Sequence, residues 1–426
     1  MNTLSLIWKT KDLRWKIGAV LLLLVATRIL VHIPIPGINV SGLQNFFQAN
    51  QFLNLLDVFS GGGLTNFSIA MLGVGPYITA SIIMQLLVMV VPSLKELQKE
   101  SGEAGRTKIN QYTRFMTIPL AVLSGFGTIR LLQSQGGAEI LGVFSPFQWF
   151  LTLLAVTAGS LLIMWIGEII SEYGIGNGVS LIIFAGIVAK LPSSIQSLIQ
   201  LYDPSKLPMI IGFAAAIIAV VAGVVLVTEA QRNVPVSYAK RQRGDRQVGG
   251  VDSFLPMRLN QAGVIPIIFA LSLMLFPAII AQFFLSAKSA FLAEWAQKVI
   301  DFTNTQGLWY GAVYFVLVIA FAYFYTNIVI NPDDISENMQ RNGGFVPGLR
   351  PGQQTANYLH KVLNRITLPG ALFLGLIAVL PFIVQAWTGT RALTLGGTGL
   401  LIVVSVVIET IKQVEAQLTM HDYQGY

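Results

Sequence analysis

Hydrophobic positions in this chain run together rather than alternate. Val58 to Leu94 holds no charged residue, and neither do Leu207 to Thr228, Leu259 to Ala287, Phe302 to Pro332 and Ile366 to Thr390. A helix needs about 20 apolar residues to cross a bilayer core, and each run is at least that long. Membrane barrels show short segments of alternating polarity instead, so the pattern predicts membrane helices. Ten spans are expected, near 17–36, 73–92, 113–133, 148–169, 178–198, 208–229, 261–285, 308–330, 367–387 and 397–416. The first follows Lys9, Lys11, Arg14 and Lys16, as a signal peptide would. It is too long for a typical signal core, contains Arg28, and ends in Pro34-Ile35-Pro36 without a small-residue cleavage site, so it reads as a retained helix.

Charge then orients the spans. Of 27 Lys and Arg, only Arg130, Lys190, Lys206, Lys288, Lys298 and Arg391 fall on one side, and Arg28 lies inside a span. All the others share the side of the amino terminus, so the positive-inside rule puts both termini in the cytoplasm. The basic excess of +7 therefore dresses loops and does not by itself point to nucleic acid. Composition agrees: 54% of residues are hydrophobic and 11% charged, where soluble domains carry roughly 25% charged residues. The absence of cysteine excludes disulfides and thiolate metal sites. His32, His360 and His421 are far apart and show no metal-ligand spacing.

Five spans precede the loop containing Pro192, Pro204 and Pro208, and five follow. The expected division is an N-terminal half at 1–198, a hinge loop at 199–207 and a C-terminal half at 208–426. Because five is odd, equivalent halves would be inverted relative to each other. Gly73-Val74-Gly75-Pro76-Tyr77-Ile78 and Gly263-Val264-Ile265-Pro266-Ile267-Ile268 both read G-V-x-P-x-I at the second span of each half. Inverted repeats place their working site at the midplane. Solute transporters mark that site with charge or polar clusters, and here the midplane candidates are Val and Ile. An apolar constriction closes a route by excluding water. Glu409 stands one helical turn from Lys412, which suggests a local ion pair.

Phe59-Ser60-Gly61-Gly62-Gly63-Leu64-Thr65-Asn66-Phe67-Ser68 cannot hold a rigid helix across three glycines. From its residues it reads either as an external loop, the commoner outcome, or as a re-entrant segment blocking a cavity. Gly174-Ile175-Gly176-Asn177-Gly178 lacks the Gly-Lys-Ser/Thr ending of a phosphate loop and reads as a tight turn. Alternation at Val234, Val236 and Tyr238, followed by a basic stretch and Gly244-Asp245, predicts a projecting hairpin with a basic tip. Phe345-Val346-Pro347-Gly348-Leu349-Arg350-Pro351-Gly352 presents Arg350 on turns fixed by Pro and Gly. Leu359, Val362, Leu363 and Ile366 then recur at helical spacing, predicting a short amphipathic helix before the ninth span. No nucleophile-base pair, paired intramembrane carboxylates or Walker motif is present, so catalysis is not expected.

These motifs resemble the SecY family, the central subunits of the bacterial protein-conducting channel. The resemblance covers nearly the whole chain. It rests on Ile33-Pro34-Ile35-Pro36-Gly37, Phe59-Ser60-Gly61-Gly62, Pro76-Tyr77-Ile78-Thr79-Ala80-Ser81-Ile82-Ile83, Gln111-Tyr112-Thr113-Arg114, the Gly174–Gly178 turn, Tyr238-Ala239-Lys240-Arg241-Gln242, Ala262-Gly263-Val264-Ile265-Pro266, Phe345–Gly352 and Gly396-Gly397-Thr398. It implies an all-α membrane protein of ten helices in two inverted five-helix halves around an hourglass pore. The implied pore ring is Val74, Ile78, Ile183, Ile268 and Ile402. The implied plug is Ser60, Gly61, Gly62, Gly63, Leu64, Thr65, Asn66 and Phe67. Spans two and seven would line a lateral gate carrying Gln85, Asn260 and Ser272. Lys240, Arg241, Arg243, Arg246 and Arg350 would dock cytosolic partners.

The family further implies SecE and SecG as membrane subunits, the SecA ATPase and the ribosome as partners, and unfolded secretory polypeptides with their signal sequences as cargo. Its setting is the lipid bilayer of the bacterial plasma membrane, and no cofactor or metal is implied. An accessory channel of this type for a restricted substrate set, or a small-solute transporter, are the alternative readings. The chain departs from the family in three places. The tail after Lys412 has no Lys or Arg, Val74 is smaller than the Ile often found there, and Gly75 replaces a larger residue.

Overall fold

The computed structural model describes residues 10–36, 43, 57, 60–100, 102–136, 144–200, 207–238, 241–243, 246–248, 252–285, 289–304, 308–388 and 397–424. A helix stands at each of the ten predicted spans: α1 (Lys11–Val31), α2 (Gly75–Val90), α4 (Gly102–Gly136), α5 (Pro146–Tyr173), α6 (Gly178–Gln200), α7 (Leu207–Glu229), α8 (Ile265–Phe284), α10 (Leu308–Val329), α12 (Gln353–Thr388) and α13 (Gly397–Gln424). Among the described residues, four helical stretches are long and apolar enough alone to cross a membrane: Glu103–Gln133, Pro146–Tyr173, Trp309–Arg341 and Gln353–Val384.

Among the described residues, three helices were not predicted from the pattern: α3 (Pro92–Glu100), α9 (Ala290–Asn304) and α11 (Pro332–Arg341). α3 continues α2 after a bend of 103°. Val91 lies extended before Pro92, as a residue preceding proline prefers, and this breaks the helix. α9 packs Ala296 and Ile300 on Ala281 near the end of α8. The amphipathic helix expected before the ninth span is not separate. Leu359, Val362, Leu363 and Ile366 are all buried in the first half of α12, which runs on through Pro369. That helix changes surroundings along its length without interrupting its backbone.

Helices α1 to α6 pack among themselves, as do α7 to α13. The two groups meet along two seams, α8 against α2 and α4, and α6 against α13. The repeated G-V-x-P-x-I motif has one backbone form in both places. Gly73 (φ +54°) and Gly263 (φ +60°) are left-handed. Val74 (φ −87°, ψ 0°) and Val264 (φ −93°, ψ −7°) cap the helices that follow, and each next turn begins with a proline. Ile78 and Ile268 donate their N–H groups to the Val74 and Val264 carbonyls at 3.0 and 3.3 Å, so the two isoleucines are equivalent positions of the repeat. Proline suits the first turn because no intrahelical partner awaits its missing N–H.

The predicted hairpin is present. β1 (Gln231–Tyr238) pairs antiparallel with β4 (Asp252–Arg258), and β2 (Arg241–Arg243) with β3 (Arg246–Val248). A further strand, β5 (Gly344–Phe345), adds to β1 through Ser237 and Tyr238, giving the order β4-β1-β5. A separate small core of Val234, Val236, Met257, Met339, Val346, Leu359, Val362 and Ile366 lies beneath this sheet.

Candidate functional site

The aliphatic residues singled out by the resemblance are all buried. Val74 (1% exposed), Ile78 (7%), Ile183 (0%), Ile268 (6%) and Ile402 (0%) belong to one buried cluster drawn from α2 with its cap, α6, α8 and α13. They face protein, not lipid.

Two cavities meet at this cluster. The larger, about 480 Å³, has a polar wall of Ser81, Gln85, Asn110, Asn177 and Ser180, and reaches Ile78 and Ile268. Arg114 and Glu168, also in that wall, form an ion pair of 2.8 Å between α4 and α5. The tight turn between α5 and α6 contributes Asn177 to this wall. Gly176 is left-handed (φ +92°), and Asn177 Oδ1 accepts from the Ser180 N–H at 3.2 Å. The smaller cavity, about 80 Å³, is lined by Ser60, Leu64, Thr79, Thr128 and Ser272, and again by Ile78 and Ile268. Among the described residues, those two isoleucines are the only aliphatic side chains common to both cavities.

The glycine-rich segment is inside the protein. The external-loop reading is corrected: Ser60, Gly61, Gly62, Gly63, Leu64 and Phe67 are buried, and Thr65 and Asn66 are half-buried. Gly61 (φ +78°) and Gly62 (φ +90°) adopt a conformation closed to most other residues. A Cβ on Gly63 would lie 2.5 Å from the Ala70 carbonyl oxygen. Leu64 and Phe67 pack with Met71, Leu72, Ile129 and Val156. A short bridge fixes the exit: Ile35 N–H donates to the Phe67 carbonyl at 3.0 Å, and Ile69 N–H to Ile33 at 3.1 Å. The apolar content that made the segment legible as a protein interior outweighs its loop-like glycines.

The expected gate residues do not form one group. Gln85 lines the larger cavity and donates to Ser81 Oγ at 3.3 Å. Ser272 lines the smaller cavity. Asn260 is buried before α8 and donates to the Gly263 carbonyl at 3.2 Å, which supports the turn that starts that helix. Of the docking residues, Lys240 lies outside the described residues. Arg241, Arg243 and Arg246 occupy β2 and β3, with Arg243 opposite Arg246. Arg350 is exposed between left-handed Gly348 and Gly352, and its carbonyl accepts from Thr355 Oγ1 at 2.9 Å.

Sequence reasoning missed one buried charge, Asp57, and the partner of another, Arg28. Asp57 is fully buried and paired with Lys190. Arg28, read from the sequence as lying inside the first span, donates from Nη2 to the Gly61 carbonyl at 2.6 Å. The signal was available, since a charge within a membrane span calls for a partner. Lys412 also takes its partner from another helix, Glu229 at 2.8 Å, where the sequence suggests a local pair with Glu409.

A bundle of many membrane helices, with an aliphatic junction between two cavities and a loop folded against it, has the form of a gated channel. Comparison with known proteins agrees. The SecY family pattern matches residues 68–411. The chain is 43% identical over 432 residues to the protein translocase subunit SecY of Streptomyces scabiei, covering 98% of each. Among solved structures it superposes with TM-score 0.60 and 20% identity, over 94% of this chain and 91% of the other, on a SecY whose plug domain is described as stabilizing the closed state and maintaining a membrane seal. Canine Sec61 in a ribosome-channel complex from the endoplasmic reticulum gives 0.58 at 19% identity, over the same shares. The chain belongs to the SecY family. It is a multi-pass protein-conducting channel for polypeptide translocation and not an enzyme.

Proposed function

We propose that Val74, Ile78, Ile183, Ile268 and Ile402 form the constriction of the channel, and that residues 60–67 are its plug. The observation that carries this reading is the shared position of Ile78 and Ile268 between the two cavities. A passing chain carries peptide groups that cost several kcal/mol each in hydrocarbon. Watery vestibules on both sides remove most of that cost, and a short aliphatic collar offers no fixed charge to hold the chain. An empty apolar collar expels water. A small-solute transporter needs polar groups at this junction, and the five residues proposed here are Val and Ile.

In this reading the larger cavity is the cytoplasmic vestibule, and both termini are cytoplasmic in a bacterial plasma membrane. The division at 199–207 is the hinge between inverted halves; residues 201–206 of it lie outside the described residues. The α2 and α4 seam against α8 is the lateral gate toward lipid, with Gln85 and Ser272 on its two cavities and Asn260 at the base of α8. The Arg241, Arg243 and Arg246 hairpin, Lys240 and Arg350 dock SecA or a ribosome, and SecE and SecG complete the membrane complex. The channel supplies a path, and its partners supply the driving free energy.

A translocating chain stalled in vesicles tests the collar. Photo-crosslinkers at positions 78, 183, 268 and 402 are expected to capture it, and one at exposed Phe150 is not. Capture at Phe150 equal to that at the four positions would remove the collar assignment.

A further inference from the structure

The plug is held by a polar anchor as well as by apolar packing. Ser60, Gly62 and Thr65 gather around Asp57. Its backbone carbonyl accepts from the Gly62 N–H at 2.7 Å and from Ser60 Oγ at 3.0 Å. Its carboxylate accepts from the Thr65 N–H at 2.9 Å and from Thr65 Oγ1 at 2.6 Å. The same carboxylate pairs with Lys190 of α6. Arg28 of α1 grips the segment at the Gly61 carbonyl. Two different helices thus hold one short loop through charge.

The face of α6 that does this is continuous with the collar. Ile183, Gly186, Ile187 and Lys190 recur at helical spacing on one stripe. Ile183 is in the aliphatic cluster. A Cβ on Gly186 would lie 2.6 Å from the Gly61 Cα, so only glycine lets the plug backbone lie this close. Lys190 stands about 10 Å along the helix from Ile183, roughly two turns. One helix therefore supplies the collar residue, the seat of the plug and the cation that fastens it.

We propose that the Lys190–Asp57 ion pair is a latch that positions the plug in the resting channel, and that it must break before the plug can leave. A buried carboxylate is costly unless paired, so displacing the segment requires Asp57 to leave Lys190 for water or another cation. The inference rests on the plug reading proposed above.

The chain has no cysteine, so Leu64→Cys introduces a sole thiol at a buried plug position. Its labelling by a membrane-impermeant maleimide reports plug release, and ion conductance of the same resting vesicles reports the seal. Lys190→Arg keeps the charge and is expected to label as the parent does. Lys190→Gln and Asp57→Asn should label on the order of tenfold faster, and Lys190→Glu faster still. Asp57→Asn should show the smaller change of the two, because the Lys190 it orphans is 24% exposed and screened by water, whereas Lys190→Gln orphans the fully buried Asp57. Equal labelling in the parent, Lys190→Gln and Asp57→Asn overturns the latch, whether or not Lys190→Glu folds. Faster labelling with unchanged conductance keeps the latch and instead overturns the reading of the segment as the seal.

Discussion

Ile78 and Ile268 stand where a solute transporter would place a hydroxyl or a charge. Both lie at the same position of the repeated motif, and both touch the two cavities. Changing both to Gly should raise ion leak through resting channels in liposomes several-fold, measured as vesicle conductance, because a wider collar stays wet. Unchanged leak removes them from the seal. Gly186 makes a second residue-scale test. Gly186→Ala forces a methyl into the Gly61 backbone, which cannot swing aside as a side chain can. The expected result is a displaced plug and increased resting conductance, with helix content unchanged by circular dichroism. An apolar midplane was readable from the residues, whereas the five proposed collar positions came only from the family resemblance. Asp57 was not singled out, because it borders an uncharged run and its partner Lys190 is 133 positions away.

Among elements, the sheet joins what the sequence presents as two separate loops. β5 brings the loop carrying Arg350 onto β1 of the basic hairpin, so the proposed docking groups share one rigid base. Alternation in β1 revealed the hairpin. Two residues of β5 are too few to show any periodicity, and their pairing is a tertiary event. Leu359, fully buried in the core beneath the sheet, ties that base to α12. Leu359→Ala should cost about 2–5 kcal/mol locally. Trypsin should then cut the arginine-rich hairpin faster, while the membrane helices stay protected. Arg350→Glu acts differently. Arg350 is exposed, so the fold and protease pattern should persist while SecA-driven export falls. Normal export in that variant would remove Arg350 from the docking set.

Across the whole molecule, the two helix groups touch along α8 with α2 and α4, and along α6 with α13. Opening sideways to lipid requires one seam to part. Thr79 of α2 and Ser272 of α8 both line the smaller cavity. A short bismaleimide bridge between cysteines at these two positions should block translocation while resting conductance remains that of the parent. Export that continues through the bridged channel would show that this seam does not need to open. The proposed latch lies in the other seam's helix, α6, so plug release and lateral opening use different helices and can be separated by these two experiments.

Long uncharged runs made membrane helices unavoidable, since nothing else satisfies the backbone inside lipid. The sequence likewise carried the basic asymmetry, the hairpin alternation and the twin G-V-x-P-x-I motifs, all of them local or periodic. Only the tertiary structure put the five aliphatic residues into one cluster and buried the glycine-rich segment beside them. It alone attached β5 to the hairpin, and it alone paired Asp57 with Lys190. Periodicity shows which face of a helix is apolar. Which faces meet depends on how distant helices pack, and that is decided by shape and charge across the assembled bundle.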